Sequence, residues 1–531
     1  MLFAYGWIFS SEVDAVSLDV LVQSQDPGKP ICIERVRFQD WRLRQDVANS
    51  FPDFAQRALR SGWMVYARLS SSNVRDVTLE VYFENGQKYV IPVSLPEVLP
   101  VREVTQIPVG DKLAVLCRQG VKLMSLFING QFRHGLRKIR KVLNSRPDGY
   151  IGSIRDFHEE MAGKKPQRGW KLVIDHDLGG GANKYRVEQA RLSLAQGYGV
   201  VVLTTQISSL SDVVIIYVGD VYQRIRVRDK NDFLMWAKEL GVQEVIYNNA
   251  VSFPDVVPTL EWMVRARSES GCRLVVNVHD YFALCPSQHL INADGRFCGI
   301  PAISDCHQCL ATNKRSYVPI YAVDGIEAWR SSWKLLLTAC DEIRFFSADS
   351  ERLFLKVYAE LHLKSKMTIV PHQVNVAPDR IKGRVKPAPL SIGIVGNINF
   401  EKGSAVIKKL ADYIDQHSLP IRLKLFGSID ISVGSKCFDD VGPYAVDKLA
   451  DLLVLHDINI CFLPSICPET FSYACQEIIA LGAPVACFNL GAPPERVRHY
   501  AYGLVLNSSP EASAELILQE LISFHRSIYV T

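Results

Sequence analysis

Two glutamates stand eight residues apart in PSICPETFSYACQEIIALG, residues 464–482: Glu469 just before a predicted helix and Glu477 inside it. A carboxylate can accept two hydrogen bonds from a ribose diol. It can also steady the positive charge that develops on a sugar ring as its glycosidic bond breaks. Phe471, Ala474, Cys475, Ile478, Ile479 and Gly482 recur at helical spacing and define a buried face. At about 100° per residue Glu477 falls away from that face, so its plain reading is a solvated helix residue. The other reading starts from the preceding strand, which points the helix start into a ligand cleft. There the N–H groups of Thr470, Phe471, Ser472 and Tyr473 could hold phosphate oxygens.

Three more stretches sit where a strand ends. HDLGGGANKY (176–185) places Gly179, Gly180 and Gly181 before a helix. They suit close backbone approach to an anion, or simply a tight turn. It is neither the spaced dinucleotide fingerprint nor a P-loop. NVHD (277–280) offers His279 as a donor to a substrate hydroxyl, or as a structural histidine. GNINFEKG (396–403) runs from Gly396 and Asn397 to Lys402, beside a helix start. That position suits a diphosphate, or an ordinary surface lysine. Asp175 and Asp177 spell a D-x-D pair on the other half of the chain, and they are not read as a catalytic metal site. Cys285, Cys298, Cys306 and Cys309 follow C-x12-C-x7-C-x2-C in one insertion, with His289 and His307 nearby. This set could hold a structural zinc that orders the cleft mouth, or be free or redox-active thiols.

These residues need a scaffold of strands that end at a common edge. Residues 169–385 alternate buried strands, such as KLVIDHD (171–177) and RLVVNVHD (273–280), with helices. A second set of the same kind occupies 386–531, after the Pro-rich VKPAPLS (385–391). Such patterns predict two doubly wound α/β domains, with parallel sheets covered on both faces and ligands at the carboxyl ends of the strands. Residues 1–100 differ: AVSLDVLV, DVTLEVYF and KYVIPVSL alternate between turn signals and predict a small β-sandwich-like domain. Residues 101–168 form a basic, partly helical linker without Asp or Glu from Lys112 to Pro147. Its segment 131–146 could lie on an anionic membrane or be a solvated connector.

The chain has 531 residues, enough for about three domains. A net charge of +4 gives no sign of a nucleic-acid partner. No apolar run reaches the roughly 18–20 residues of a membrane span. The start, MLFAYGWIFSSEVDAV, lacks a signal-peptide pattern. The expected compartment is the cytoplasm, where the 13 cysteines are not expected to form disulfides.

Taken in order, these motifs resemble the retaining GT-B glycosyltransferases of family 4. PETFSYACQEIIALGAPV is similar to the family's E-x7-E element, whose first glutamate lies near the donor sugar and whose second binds the nucleotide ribose. GNINFEKG resembles its G-R-x4-K-G diphosphate motif, with Lys402 on the lysine and Asn397 where the family has arginine. His279 matches the family's active-site histidine, and HDLGGGANKY its N-terminal glycine loop. The resemblance spans about 170–525. Residues 1–100 also resemble a β-rich accessory domain of large bacterial glycosyltransferases. The resemblance implies two facing Rossmann-like domains and transfer of a sugar from a nucleotide-diphosphate donor to a glycan or lipid-linked acceptor, with retention. It points to surface polysaccharides such as O-antigen, with no cofactor required for catalysis. A catalytically degenerate glycan-binding protein, a GT-B phosphorylase and an epimerase are the alternatives.

Overall fold

The computed structural model describes residues 2–7, 13–25, 30–38, 61–67, 74–93, 149–151 and 166–529, apart from 177, 207–210, 219–220, 228–239, 254–255, 316–317, 322–323, 375, 377, 379–380 and 382–388. The basic segment 131–146 and residues 385–388 of VKPAPLS therefore lie outside the described residues.

The N-terminal region is antiparallel β. Its strands are β1 (Leu2–Trp7), β2 (Ala15–Ser24), β3 (Cys32–Phe38), β4 (Gly62–Ala67), β5 (Val74–Phe83) and β6 (Lys88–Val93). β1 pairs with β4, and the others form a sheet in the order β3-β2-β5-β6. Alternation puts Leu18, Val20, Val22, Val77, Leu79 and Val81 on one buried face, in register across β2 and β5.

The next unit contains β7 (Gly149–Ile151), β8 (Trp170–Ile174), β9 (Gly199–Gln206), β10 (Ser211–Val218), β11 (Val221–Val227), β12 (Val242–Tyr247), β13 (Arg273–Asn277), β14 (Glu342–Phe345) and β15 (Met367–Ile369). They form one sheet in the order β15-β14-β13-β12-β8-β9-β10-β11-β7. Its helices include α1 (Gly181–Ala195), α2 (Val256–Ser270), α3 (Ile303–Thr312), α4 (Gly325–Ala339) and α5 (Ala348–Tyr358). The expectation of an all-parallel sheet fails at β10, which runs antiparallel to both β9 and β11. The connections on either side of β10 are four and two residues, 207–210 and 219–220. Parallel neighbours need a crossover of about a dozen residues. β7, in the stretch read as linker, pairs with β11 and so belongs to this sheet.

The last unit holds β16 (Leu390–Ile398), β17 (Ile421–Ile429), β18 (Phe438–Gly442), β19 (Ile460–Leu463), β20 (Val485–Cys487) and β21 (Gly503–Val505). Its sheet order is β18-β17-β16-β19-β20-β21, and every printed pairing is parallel. Helices α6 (Ser404–Gln416), α7 (Leu449–Leu455), α8 (Tyr473–Ala480), α9 (Pro493–Val497) and α10 (Ala514–Tyr529) accompany it. β16 is buried on both faces: Ile392 and Ile394 enter one core cluster, Val395 another. That is why LSIGIV reads as an unbroken apolar run.

Two facing α/β units, each with helices along its sheet, make the GT-B architecture. Strand order reverses between β8 and β12 in the first unit and between β16 and β19 in the second. Ligands of such sheets bind beside those switch points.

Candidate functional site

A cleft of about 520 Å³ opens between the two units at these switch points. Its first wall is made by Gly180, Gly181 and His279, its second by Gly396, Asn397, Lys402 and Thr470–Ser472, with Glu469 and Glu477 beside them. Every residue predicted for the donor site and for catalysis therefore lines one cavity.

On the first wall, the chain leaves β8 and turns through Gly179 and Gly180, both with φ near 85°. This left-handed backbone favours glycine. Gly181 then opens α1 so near Tyr473 of the second unit that an added Cβ would lie 3.4 Å from its ring. A buried polar network fixes the loop. Asn183 Nδ2 donates to Asp175 Oδ2 and to the His176 carbonyl, each at 2.7 Å, while its Oδ1 accepts from Gly179 N–H. Asp175 is fully buried and pairs with Arg186 at 3.2 Å. Burial pushes its carboxyl up to about 7 against the opposing pull of Arg186, Asn248 and Asn183. Asp175 thus serves the glycine loop.

Asn248, at the end of β12, carries that network to His279. Its Nδ2 donates to the Ala182 carbonyl at 3.2 Å. Its Oδ1 therefore faces Asn277 Nδ2 at 3.1 Å and His279 Nε2 at 2.9 Å. With the amide oriented this way, Nε2 carries the hydrogen and donates. Burial holds the imidazole well below its ordinary pKa, aided by His372 and His176, so His279 is neutral. It stacks on Phe346 with ring centroids 4.5 Å apart.

The second wall is built on charge. Lys402 precedes α6, and its ammonium pairs with the Glu469 carboxylate. Ser465 Oγ donates to the same carboxylate at 2.5 Å. Burial raises the Glu469 carboxyl, but Lys402, Ser465 and Ser472 outweigh it and hold the group below its ordinary value. Gly491 lets a second loop lie against Glu469, where an added Cβ would sit 2.4 Å from its backbone nitrogen. Asn397, in the arginine position, accepts from Ser428 Oγ at 2.9 Å.

α8 starts at a strained turn, for Ser472 has φ 70° without being glycine. The Arg496 guanidinium braces it, bonding the Phe471 carbonyl and Gln476 Oε1 and lying 4.4 Å from the Phe471 ring centroid. Glu477 corrects the solvated reading: it is only 3% exposed. Its side of the helix meets α1 of the other unit, where Lys184 Nζ lies 3.0 Å from Glu477 Oε1. Further contacts join the units across the cleft. Thr470 Oγ1 donates to the His279 carbonyl at 2.7 Å, and Tyr473 Oη lies 2.8 Å from His372 Nδ1.

Sequence reasoning missed Lys184, Asn248, His372, Tyr473 and Arg496. Lys184 stood inside the quoted glycine loop, but its partner is 293 residues away. Of the others, only Tyr473 lay in a quoted motif, and there only for its backbone N–H.

The cysteine insertion does lie at the cleft, to which it contributes Gln288 and His289. Its Ile291 packs into the second unit's core. Cys285, Cys298, Cys306 and Cys309 are close enough to disfavour one another's thiolates, and burial pushes Cys285 up to about 12. All four are free. Among the described residues, however, no three His, Cys, Asp or Glu side chains are grouped to hold a metal ion. Packing and backbone hydrogen bonds hold the insertion in place. No described helix is long and apolar enough to cross a membrane.

No protein-family model matches the chain, and neither does any curated protein. Among solved structures it is similar to sucrose-phosphate synthase from Thermosynechococcus elongatus, at 15% identity and TM-score 0.44, over 68% of this chain and 92% of that one. Anabaena HepE in complex with UDP matches at 15% identity and TM-score 0.43, over 68% and 90%. A glycosyltransferase from Rickettsia africae matches at 13% identity and TM-score 0.44, over 68% and 89%. All three TM-scores lie below 0.5, so the weight stays on the chain's own residues.

Proposed function

We propose that this protein is a retaining glycosyltransferase that moves a sugar from a nucleotide-diphosphate donor to a glycan or lipid-linked acceptor. The observation that carries this reading is the pair of glutamates. Glu469 and Glu477 line one cleft at the switch point of the second sheet, and a neutral histidine faces them from the first.

The roles follow from chemistry. The diphosphate lies between Lys402 and the helix starts at Ser404 and Tyr473, whose dipoles favour anions. Glu477 accepts from the ribose diol. Glu469, held ionised by Lys402, faces the sugar carbon as positive charge develops there. His279 meets a sugar hydroxyl from the opposite wall. The bond from the anomeric carbon to the phosphate oxygen breaks as the acceptor oxygen bonds to the same face. The acceptor's proton passes to the departing phosphate oxygen. Neither a covalent enzyme intermediate nor a metal is required, as the family resemblance implies. The acceptor would belong to a surface polysaccharide, with segment 131–146 touching an anionic membrane from the cytoplasmic side.

The test is a thermal-shift screen of UDP-, GDP-, dTDP- and ADP-sugars against the wild type and Glu477→Ala. One nucleotide sugar should raise the wild-type melting temperature and leave the variant unmoved. A folded wild type that responds to none would sink the reading. Asn397 in the arginine position favours a second reading, a glycan-binding protein without turnover. Glycan binding that survives Lys402→Ala and Glu469→Gln, with no wild-type transfer, would support it.

A further inference from the structure

A nucleoside diphosphate brings at least two negative charges into a cleft that already holds Asp280, Glu401, Glu469 and Glu477. Among the described residues lining it, only two lysines and no arginine face that load: Lys402 and Lys184. Lys402 is engaged with Glu469. Asn397 brings no charge and accepts from Ser428. Lys184 stands in the first turn of α1, directly after the glycine loop. Its ammonium lies 3.0 Å from Glu477 and 4.2 Å from the Tyr473 ring centroid. The pair is lopsided, with the Lys184 side chain 48% exposed and that of Glu477 4%. The carboxylate is fixed, and the four-carbon stem of the lysine can turn.

We infer that Lys184 is a diphosphate-binding residue, delivered from the opposite unit, and that it supplies the positive charge missing at Asn397. This inference rests on the nucleotide-sugar reading above. Ribose and diphosphate are bonded neighbours in any such donor. A ribose diol donating to Glu477 puts the adjacent phosphate within a side-chain rotation of Lys184. The ammonium then exchanges one anionic partner for another without crossing the cleft. One wall thereby senses that the other is loaded, because Lys184 belongs to the first unit and Glu477 to the second.

Calorimetric titration tests this with UDP, GDP, dTDP and ADP, each beside its own nucleoside, on the wild type, Lys184→Met, Lys184→Arg and Lys184→Met/Asn397→Arg. Lys184→Met should weaken the favoured diphosphate about tenfold or more, as expected for a lost charge-assisted contact. Nucleoside affinity should change less than about twofold, the change of an exposed ion pair. Lys184→Arg should keep diphosphate affinity, and Asn397→Arg should restore it in the double variant. Equal weakening of nucleoside and diphosphate would overturn the inference and assign Lys184 to the ribose. Unchanged or tighter diphosphate binding in Lys184→Met would overturn it too, leaving Lys184 a plain tether. A wild type that binds no diphosphate would overturn the donor reading and this inference together.

Discussion

His279 on the first wall is held by neutral amides, through Asn248 and Asn277, whereas Glu469 on the second wall is held by a cation, Lys402. The difference follows from what each residue would face. A sugar hydroxyl can donate to the lone pair of an uncharged imidazole, here Nδ1, once an oriented amide has taken the hydrogen on Nε2. A positive charge forming at an anomeric carbon asks for a carboxylate that stays ionised despite burial, which needs an adjacent cation. The first wall is ordered by a buried amide network that ends on His279, whereas the second carries its charges on the cleft itself.

Breaking the foundation of the first wall should have the largest effect. Arg186→Leu strands Asp175 in a site with no exposure, and should cost about 3–5 kcal/mol, read as a lower urea midpoint. Removing the cation of the second wall comes next. Lys402→Met should lower kcat by about 10²–10³ while leaving the fold intact. Asn248→Asp sharpens the comparison by giving the first wall the second wall's logic. A carboxylate against Nε2 raises the His279 pKa, in surroundings shared with His372, His176 and the Tyr185 edge. The activity profile should then gain a pH-dependent limb near neutrality that the wild type lacks. A profile identical to wild type would show that the amide does not set the imidazole.

The buried histidines give a smaller, graded effect. Burial pushes His372 down to about 3 from an ordinary value of 6.5, helped by Arg496 and Lys184. Its folded pKa is below its unfolded one, so its contribution is complete above 6.5 and is lost as pH falls towards 3. The melting temperature should decline over that range, and His372→Phe should flatten the slope. The smallest effect is expected for the cross-cleft pair. A double-mutant cycle of Lys184→Met and Glu477→Gln should give a coupling of about 0.5 kcal/mol, since half the lysine is in water.

The sequence carried the second wall well because its residues are local: Lys402 follows the end of β16, and Glu469 the end of β19. It carried the first wall only at the glycines and His279. Asp175 read only as half of a D-x-D pair set aside as a metal site, and its role came from Arg186, eleven residues on along α1, which pairs with it. A helical wheel placed Glu477 in water because a wheel knows one helix and not the helix packed against it. The parallel pattern broke at β10 for a similar reason: apolar strands look alike whichever way they run, and only the short connections betray the reversal. The N-terminal strands were plain from period-two alternation.

Glu495 of α9 reaches across to the first turn of α5, where its carboxylate accepts from the backbone N–H of Ala348 and of Asp349. Part of one unit's helix end is thus closed by the other unit's side chain. Any separation of the two units would pass those two amides from carboxylate to water. Their hydrogen exchange would clock the opening of the cleft directly, and a Glu495→Gln enzyme, with a weaker clasp, should release product faster wherever that opening limits turnover.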